Sequence, residues 1–365
     1  MNLHVFNPEH DLALAANNTF WTAPHAGRQL RADLGWLPAL WAEDGDIVLV
    51  DDVTAAEAVS RKMKTDIADV RFLTTSQLHE ARDIDHIDVW GWDKSIVHQL
   101  KLHGIDTSLL PSPDALAEQR EFSDRATAAQ LLSALRTAFP AETTGDAISV
   151  SNTGDVTRLH KELGSIVLKA PWSSSGRGVR YLTDNNDNTM KWAEKVIRTQ
   201  GHIMIEPLLN KVLDFGMEFT ALEDGTVRYD GLSLFNTVNN AYEGSILATE
   251  NEKLKMISEY MSISLLNNIK THICLLLSKN LNNCYSGPLG IDMMVVAPTL
   301  LAEKSGIGTT KALLQPCVEI NLRRTMGHVA LAISPKEDGH QQVMRIAYER
   351  TNYHFRLYND HEILF

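Results

Sequence analysis

The stretch Ile166–Tyr181, IVLKAPWSSSGRGVRY, decides how the rest of the chain is read. An apolar, β-branched run ends in Lys169 and opens into Ser173, Ser174, Ser175, Gly176 and Gly178, after which GVRYL resumes as a second strand. A hairpin of this composition lets backbone N–H groups approach an anion closely. Lys169 adds a point charge. Turn chemistry alone does not separate a phosphate loop from an ordinary hairpin, so the distinction rests on what the remainder of the chain supplies.

The 365 residues are too many for one small core and suggest two or three domains. Hydrophobic residues at 44% and charged residues at 22% are ordinary globular usage, which argues against disorder. The net charge of −12 argues against duplex nucleic acid as a partner, because affinity for that backbone comes from clustered Lys and Arg. A small anionic ligand stays compatible with it, since Lys169, Arg177 and Arg180 act at short range. Cys274, Cys284 and Cys317 form no CxxC pair, and their odd number argues against a disulfide framework. The start MNLHVFNPEHD lacks a basic flank with an apolar core, and no run reaches the length of a membrane span. The expectation is a cytoplasmic protein with neither a targeting segment nor a membrane partner.

Leu3–Phe6 reads as a strand that ends at Asn7-Pro8-Glu9-His10-Asp11 before a helical LALAA. Asn7 as cap and Pro8 at the first helical position explain much of this motif without function. Asn7, Glu9, His10 and Arg28 stay substrate candidates because strand-end loops carry function. Ile47–Val50, Val70–Leu73 and Ile87–Trp90 continue an alternation of strand and helix, so residues 1–120 read as an open α/β domain. The Trp90-Gly91-Trp92-Asp93 corner suits packing better than ligand binding.

Pro111 and Pro113 mark a connection, and a second unit begins after it. Ser123 and Asp124 can cap a helix that carries Arg125 in its first turn, where a cation opposes the helix dipole. That mismatch hints that Arg125 serves something other than the helix. Ile148–Val150, Ile166–Lys169 and His202–Glu206 read as strands, and Phe215–Leu222 pairs with Val227–Val238 through Glu223-Asp224-Gly225. Apolar residues from Leu254 to Leu276 recur every three or four positions, which predicts one long helix over Lys253–Ser278. The segment IAYERTNYHFRLY reads as a closing helix and strand.

Leu289–Val296 is an apolar strand interrupted by Asp292, and a buried acid requires a partner. Glu319 and Asn321 stand two apart near the end of Ala312–Asn321, so they share a strand face, and an antiparallel neighbour can bring Asp292 beside them. Such an all-oxygen set suits Mg²⁺ rather than zinc. Ion pairs from these acids to Arg323 or Arg324 would explain them equally well.

Taken in order, VLKAPWSSSGRGV, IMIEPLL, GMEFTAL, GPLGIDMMVV and VEINLRRTMG resemble the ATP-grasp superfamily. The resemblance implies an α/β N-terminal domain (1–120) followed by an α+β ATP-grasp fold whose two subdomains (121–205 and 206–335) sandwich ATP. Residues 336–365 would form a closing segment. It further implies that ATP lies under Ser173–Gly178 (Ser173, Ser174, Ser175, Gly176, Gly178), with Lys169 and Arg125 on its phosphates. Glu206, Leu208 and Leu209 would form the adenine hinge and Glu218 the ribose acid, with Asp214 as a competitor. Asp292, Glu319 and Asn321 would hold Mg²⁺, two ions in all, and Arg323 would neutralise the transferred phosphoryl group. Most members activate a carboxylate as its acyl phosphate for attack by an amine or thiol, which makes a ligase acting on small-molecule carboxylate and amine substrates the leading expectation. A kinase or phosphotransferase, or a nucleotide-binding regulator without turnover, are the alternatives.

Overall fold

The computed structural model describes residues 1–63, 67–81, 83–174, 176–184, 187–238, 241–281, 284–297 and 312–359. The chain divides into two compact units, one of Met1–Arg120, Glu243–Thr249 and Leu322–Phe365, the other of Glu121–Tyr242 and Glu250–Asn321. The expected boundary at 205/206 lies within the strand Ile203–Pro207, and residues 322–335 lie in the first of these units.

In the first unit, β1 (Asn2–Val5), α1 (His10–Ala16), α2 (His25–Leu34), β2 (Ile47–Leu49), α3 (Val53–Ser60), β3 (Arg71–Leu73), β4 (His86–Val89) and α4 (Lys94–Leu102) alternate, and α5 (Pro113–Phe122) crosses the boundary. The strands form a parallel sheet in the order β3-β2-β1-β4. Parallel strands are covered on both faces, and Ile47, Val48 and Leu49 are accordingly all buried. Asp52 caps α3 by accepting the Ala55 N–H, and Asp93 caps α4 through Ser95 and Ile96. Asn7 does not cap α1. Its amide donates to Gly91 O at 2.8 Å and thereby ties the end of β1 to the corner after β4.

The second unit starts with α6 (Arg125–Ala138), β5 (Ile148–Val150), α7 (Thr153–Leu163), β6 (Ile166–Lys169), β7 (Val179–Leu182), α8 (Asp187–Gln200) and β8 (Ile203–Pro207), whose strands pair antiparallel in the order β5-β8-β6-β7. Alternation along β6 and β8 sends Ile166, Leu168, Ile203 and Ile205 into one core with Val156 and Leu159 of α7 and Ala193 and Val196 of α8. Next come β9 (Lys211–Ala221) and β10 (Val227–Val238), then β11 (Ala241–Leu247), which passes into the first unit at Glu243, and, back in the second unit, α9 (Glu250–Ser258), α10 (Ile263–Asn280), β12 (Gly287–Val296) and β13 (Leu313–Asn321). Strands β13, β12, β9 and β10 are neighbours in that order in a second, antiparallel sheet.

The single helix expected over Lys253–Ser278 is two helices, α9 and α10. Ser262 caps the second by accepting the Leu265 N–H. Ile257, Met261, Leu265, Ile269 and Ile273 are all buried, so the apolar spacing runs through the break and hides it from a reading of periodicity. After α11 (Met326–Ile333), the expected closing helix and strand is instead a hairpin of β14 (Gln342–Glu349) and β15 (Asn352–Asn359), with β11 pairing on β14. No helix among the described residues is long and apolar enough to cross a membrane.

Candidate functional site

In the second unit, the alternation that buries Ile166 and Leu168 turns Val167 and Lys169 to the other face of the first sheet. The register sets them beside Met204 and Glu206. Lys169 Nζ lies 2.7 Å from Glu206 Oε1, and both side chains are about nine-tenths buried. Gln315, from β13 of the second sheet, donates from Nε2 to Glu206 Oε2 at 3.3 Å. Glu206 thus acts here through its carboxylate, while the expectation concerned its place in a hinge.

The loop after Lys169 closes through Ala170 N–H to Gly178 O at 2.8 Å and Val179 N–H to Gly176 O at 3.1 Å. Gly176 has φ +69, a conformation that side chains oppose. A Cβ at Gly178 would fall 2.2 Å from Ser173 Cβ, so only glycine permits this closure. Arg125, 6% exposed, crosses from α6 to the loop, where Nη1 donates to Ala170 O and, at 2.8 Å, to Ser173 Oγ. Its Nη2 donates to Glu319 Oε1 at 2.7 Å. Ser174 accepts the Arg177 N–H through its carbonyl, and Ser175 lies outside the described residues.

The second sheet carries oxygen-bearing side chains in two rows. Asp292 pairs with Gly216 on one side and Glu319 on the other; Gly290 pairs with Glu218 and Asn321. Because alternate residues share a face, Glu218, Asp292, Glu319 and Asn321 project from one side of this sheet, with glycines between them. A Cβ at Gly216 would lie 3.1 Å from Glu218 Oε1 and 3.7 Å from Asp292 Oδ1, which shows how closely the two carboxylates flank that glycine. Cys317 sits among these groups. Burial first, then the charges of Asp292 and Glu206, push its thiol far above the ordinary range, so it supplies no thiolate.

The remaining expected residues are placed as follows. Leu208 donates its backbone N–H to Ser165 O at 3.0 Å, and Leu209 O accepts from Lys211 N–H at 3.1 Å, so these backbone groups are already committed. Asp214 is held by Lys211 and by Thr237 Oγ1. Arg323, in the first unit, makes a two-point ion pair with Asp11 at 2.9 and 2.8 Å. Arg324 pairs with Asp88, and Glu319 is ion-paired to Arg125. Asn7 and His10 are buried against Gly91 and Asp93, Glu9 accepts from Arg31 at 3.3 Å, and Arg28 donates to Ala23 O at 3.1 Å.

Three buried polar residues, Lys253, Ser233 and Gln315, belong to no motif of the sequence. Lys253, 1% exposed, lies within the apolar stripe; its Nζ donates to Leu232 O at 3.0 Å, and burial lowers its pKa against the pull of Glu250 and Glu218. Ser233 and Gln315 are each 1% exposed, and Ser233 Oγ and Gln315 Oε1 have no hydrogen-bond partner among the described residues. The period-two pattern of LLQPCVEIN, which places Gln315, Cys317, Glu319 and Asn321 alternately, was the available signal for Gln315.

Among the described residues, no three His, Cys, Asp or Glu side chains gather tightly enough to enclose a metal ion by themselves. Asp292, Glu319 and Asn321 offer oxygen donors alone, the donor type of a hard cation such as Mg²⁺ that completes its shell from water and phosphate oxygens.

No protein-family model matches the sequence, and no curated protein matches it. Solved structures do. The biotin carboxylase–βγ-ATP complex of Campylobacter jejuni aligns over 94% of this chain and 75% of its own, at 13% identity and a TM-score of 0.51. N5-carboxyaminoimidazole synthetase from Staphylococcus aureus, complexed with ADP, aligns over 95% and 82% at 13% identity and a TM-score of 0.49. A chain from Archaeoglobus fulgidus assigned to the ATP-grasp superfamily aligns over 98% and 99% at 12% identity and a TM-score of 0.48.

Proposed function

With the ATP-grasp fold as the frame, we propose that this chain is an ATP- and Mg²⁺-dependent ligase that joins a carboxylate to an amine. The observation that carries the reading is the grouping within one unit of Arg125, bonded to both Ser173 and Glu319, with Asp292 paired to Glu319 in register. A phosphate-type loop and a carboxylate pair are thereby tied by a single guanidinium. The fold of a carboxylase crystallised with an ATP species supports the same reading.

Phosphoryl transfer asks for positioned positive charge more than for covalent groups. Lys169 and Arg125 would bind phosphate oxygens, while the N–H groups of the Ser173–Gly178 loop cover them and exclude water. Asp292 and Glu319, with Asn321, would hold Mg²⁺, which supplies charge neutralisation between phosphates when bound. A substrate carboxylate oxygen attacks the γ-phosphorus, the bond to the β-bridging oxygen breaks, and ADP leaves. The amine then adds to the acyl carbon, phosphate departs, and one proton is released. No protein nucleophile is needed, consistent with the inert Cys317.

The test is ADP and phosphate release from ATP with Mg²⁺ across a panel of carboxylates, each with and without amines. Release should need both substrates, and Asp292→Asn should abolish it while leaving the circular dichroism spectrum unchanged. A stable phosphorylated product formed without amine would instead make the protein a kinase. Tight nucleotide binding with no ADP from any pair would make it a regulator.

A further inference from the structure

From the Gln315 amide we infer a determinant of base identity: the side chain is held as a pure hydrogen-bond acceptor for the 6-amino group of adenine, and it excludes 6-oxopurines. The inference rests on the nucleotide-binding reading above. Its first support is chemical. Glu206 is paired with Lys169 and, as a carboxylate, can only accept, so Gln315 must turn its NH₂ toward Glu206 Oε2, where it lies at 3.3 Å. That choice fixes the opposite atom, Oε1, as the free end of the amide.

The second support is steric. A Cβ at Gly145 would fall 2.9 Å from Gln315 Cγ and Cδ, so the side chain lies tightly along that glycine. The neighbouring backbone is pinned as well, since Leu314 N–H donates to Glu142 O at 3.0 Å and Thr144 N–H to Leu314 O at 2.8 Å. The amide can neither swing away nor rotate end over end without bringing its oxygen against a carboxylate.

The third support is the unpaired atom. Gln315 is 1% exposed and its Oε1 has no hydrogen-bond partner among the described residues. A buried acceptor left unpaired is costly, and a bound N–H donor removes that cost. Gln315 stands beside Glu206 at the start of the 206–209 segment, and it precedes Glu319 by four residues of extended strand, roughly 13 Å. That is the scale of a nucleoside between its base edge and its phosphates. With phosphates at Glu319, the base edge comes to Gln315, where adenine offers an N–H and hypoxanthine or guanine offers a second lone pair. Sites built to bond one partner in this way discriminate strongly against the analogue lacking it.

The experiment is equilibrium titration of the full chain, with Mg²⁺, by ADP and by inosine diphosphate, which differ at the 6-position. The parent should prefer ADP at least tenfold. Gln315→Met, close in volume and without polar atoms, should bring the ratio below threefold. If that variant does not fold, Glu206→Gln serves the same end: with the new amide oxygen kept on Lys169, its NH₂ faces Gln315 and turns the Gln315 oxygen inward, so that an N–H of Gln315 faces the 6-oxo group; it too should narrow the ratio. Equal binding of the two nucleotides by the parent, or an unchanged ratio in the folded variant, overturns the inference while leaving nucleotide binding intact. Failure of the parent to bind either nucleotide overturns the nucleotide reading and the inference together.

Discussion

Arg125 Nη2 donates to Glu319 Oε1 at 2.7 Å, joining residues 194 positions apart in the chain. The same guanidinium holds Ala170 O and Ser173 Oγ, so one side chain serves three acceptors on two elements. A lysine keeps the charge but cannot reproduce that fork. Arg125→Lys should therefore weaken Mg·ATP binding by about tenfold and Arg125→Met by roughly a hundredfold, the loss expected for one or two charged hydrogen bonds. Nucleotide titration checks this, and superimposable curves for parent and both variants would remove Arg125 from the site.

The Lys169–Glu206 pair is buried, which makes its two halves unequal to its whole. Lys169→Met strands a buried carboxylate and should cost about 3–5 kcal/mol of stability. Adding Glu206→Met should recover most of that loss, because the charge left without a partner is gone. Nucleotide affinity should stay low in both, since the cation proposed to bind phosphate is absent from each. Denaturant unfolding and nucleotide titration separate the two effects; a double variant as unstable as the single would show that the loss has another source.

His4 lies between two acids, with Nδ1 2.9 Å from Asp88 Oδ2 and Nε2 3.0 Å from Asp46 Oδ2. Burial pulls the imidazole pKa down, but Asp88 and Asp46 outweigh it and raise it above the ordinary value. Arg324 faces the same Asp88, with Nη2 at 2.9 Å, and stacks over Trp41. A raised histidine contributes stability in full below about pH 6.5 and loses it as pH rises through the folded value. Asp46, held down to about 2 against burial by His4 and the Asn2 backbone, acts in the opposite sense: its contribution is present above about pH 4 and is lost as pH falls toward 2. Melting of the parent followed by tryptophan fluorescence should drop from pH 6 to pH 9 more steeply than that of His4→Asn. Parallel slopes would refute the assignment.

Much of the fold could be read from residue patterns, and the exceptions have physical causes. The alternation in IVLK and LLQPCVEIN marks strands whose faces differ, and Arg125 betrayed itself by standing against a helix dipole. The last hairpin went unrecognised because its two-residue turn, Arg350-Thr351, puts Arg350 at φ 58 where Asn or Gly is the usual signal. Asn7 resembled a cap, but its partner Gly91 is 84 positions away, and local sequence carries no record of that. Glu206 and Gln315 were opaque for the same reason, since their pairing joins two sheets across 109 positions.

The return of Leu322–Phe365 to the first unit sets the order in which that unit can be completed. Asp88 and Trp90 emerge early in synthesis, yet the guanidinium that pairs with Asp88 and the amide that donates to Trp90 O at 2.8 Å both belong to Arg324. Asp33 likewise waits for Asn352 and Tyr353. The side-chain contacts among these join residues 236 to 320 positions apart, which is the slow class of folding event. The first unit thus draws its early strands and its late segment together over separations of more than two hundred residues, and a chain cut after Asn321 would deprive Asp33, Asp88 and Trp90 of these partners.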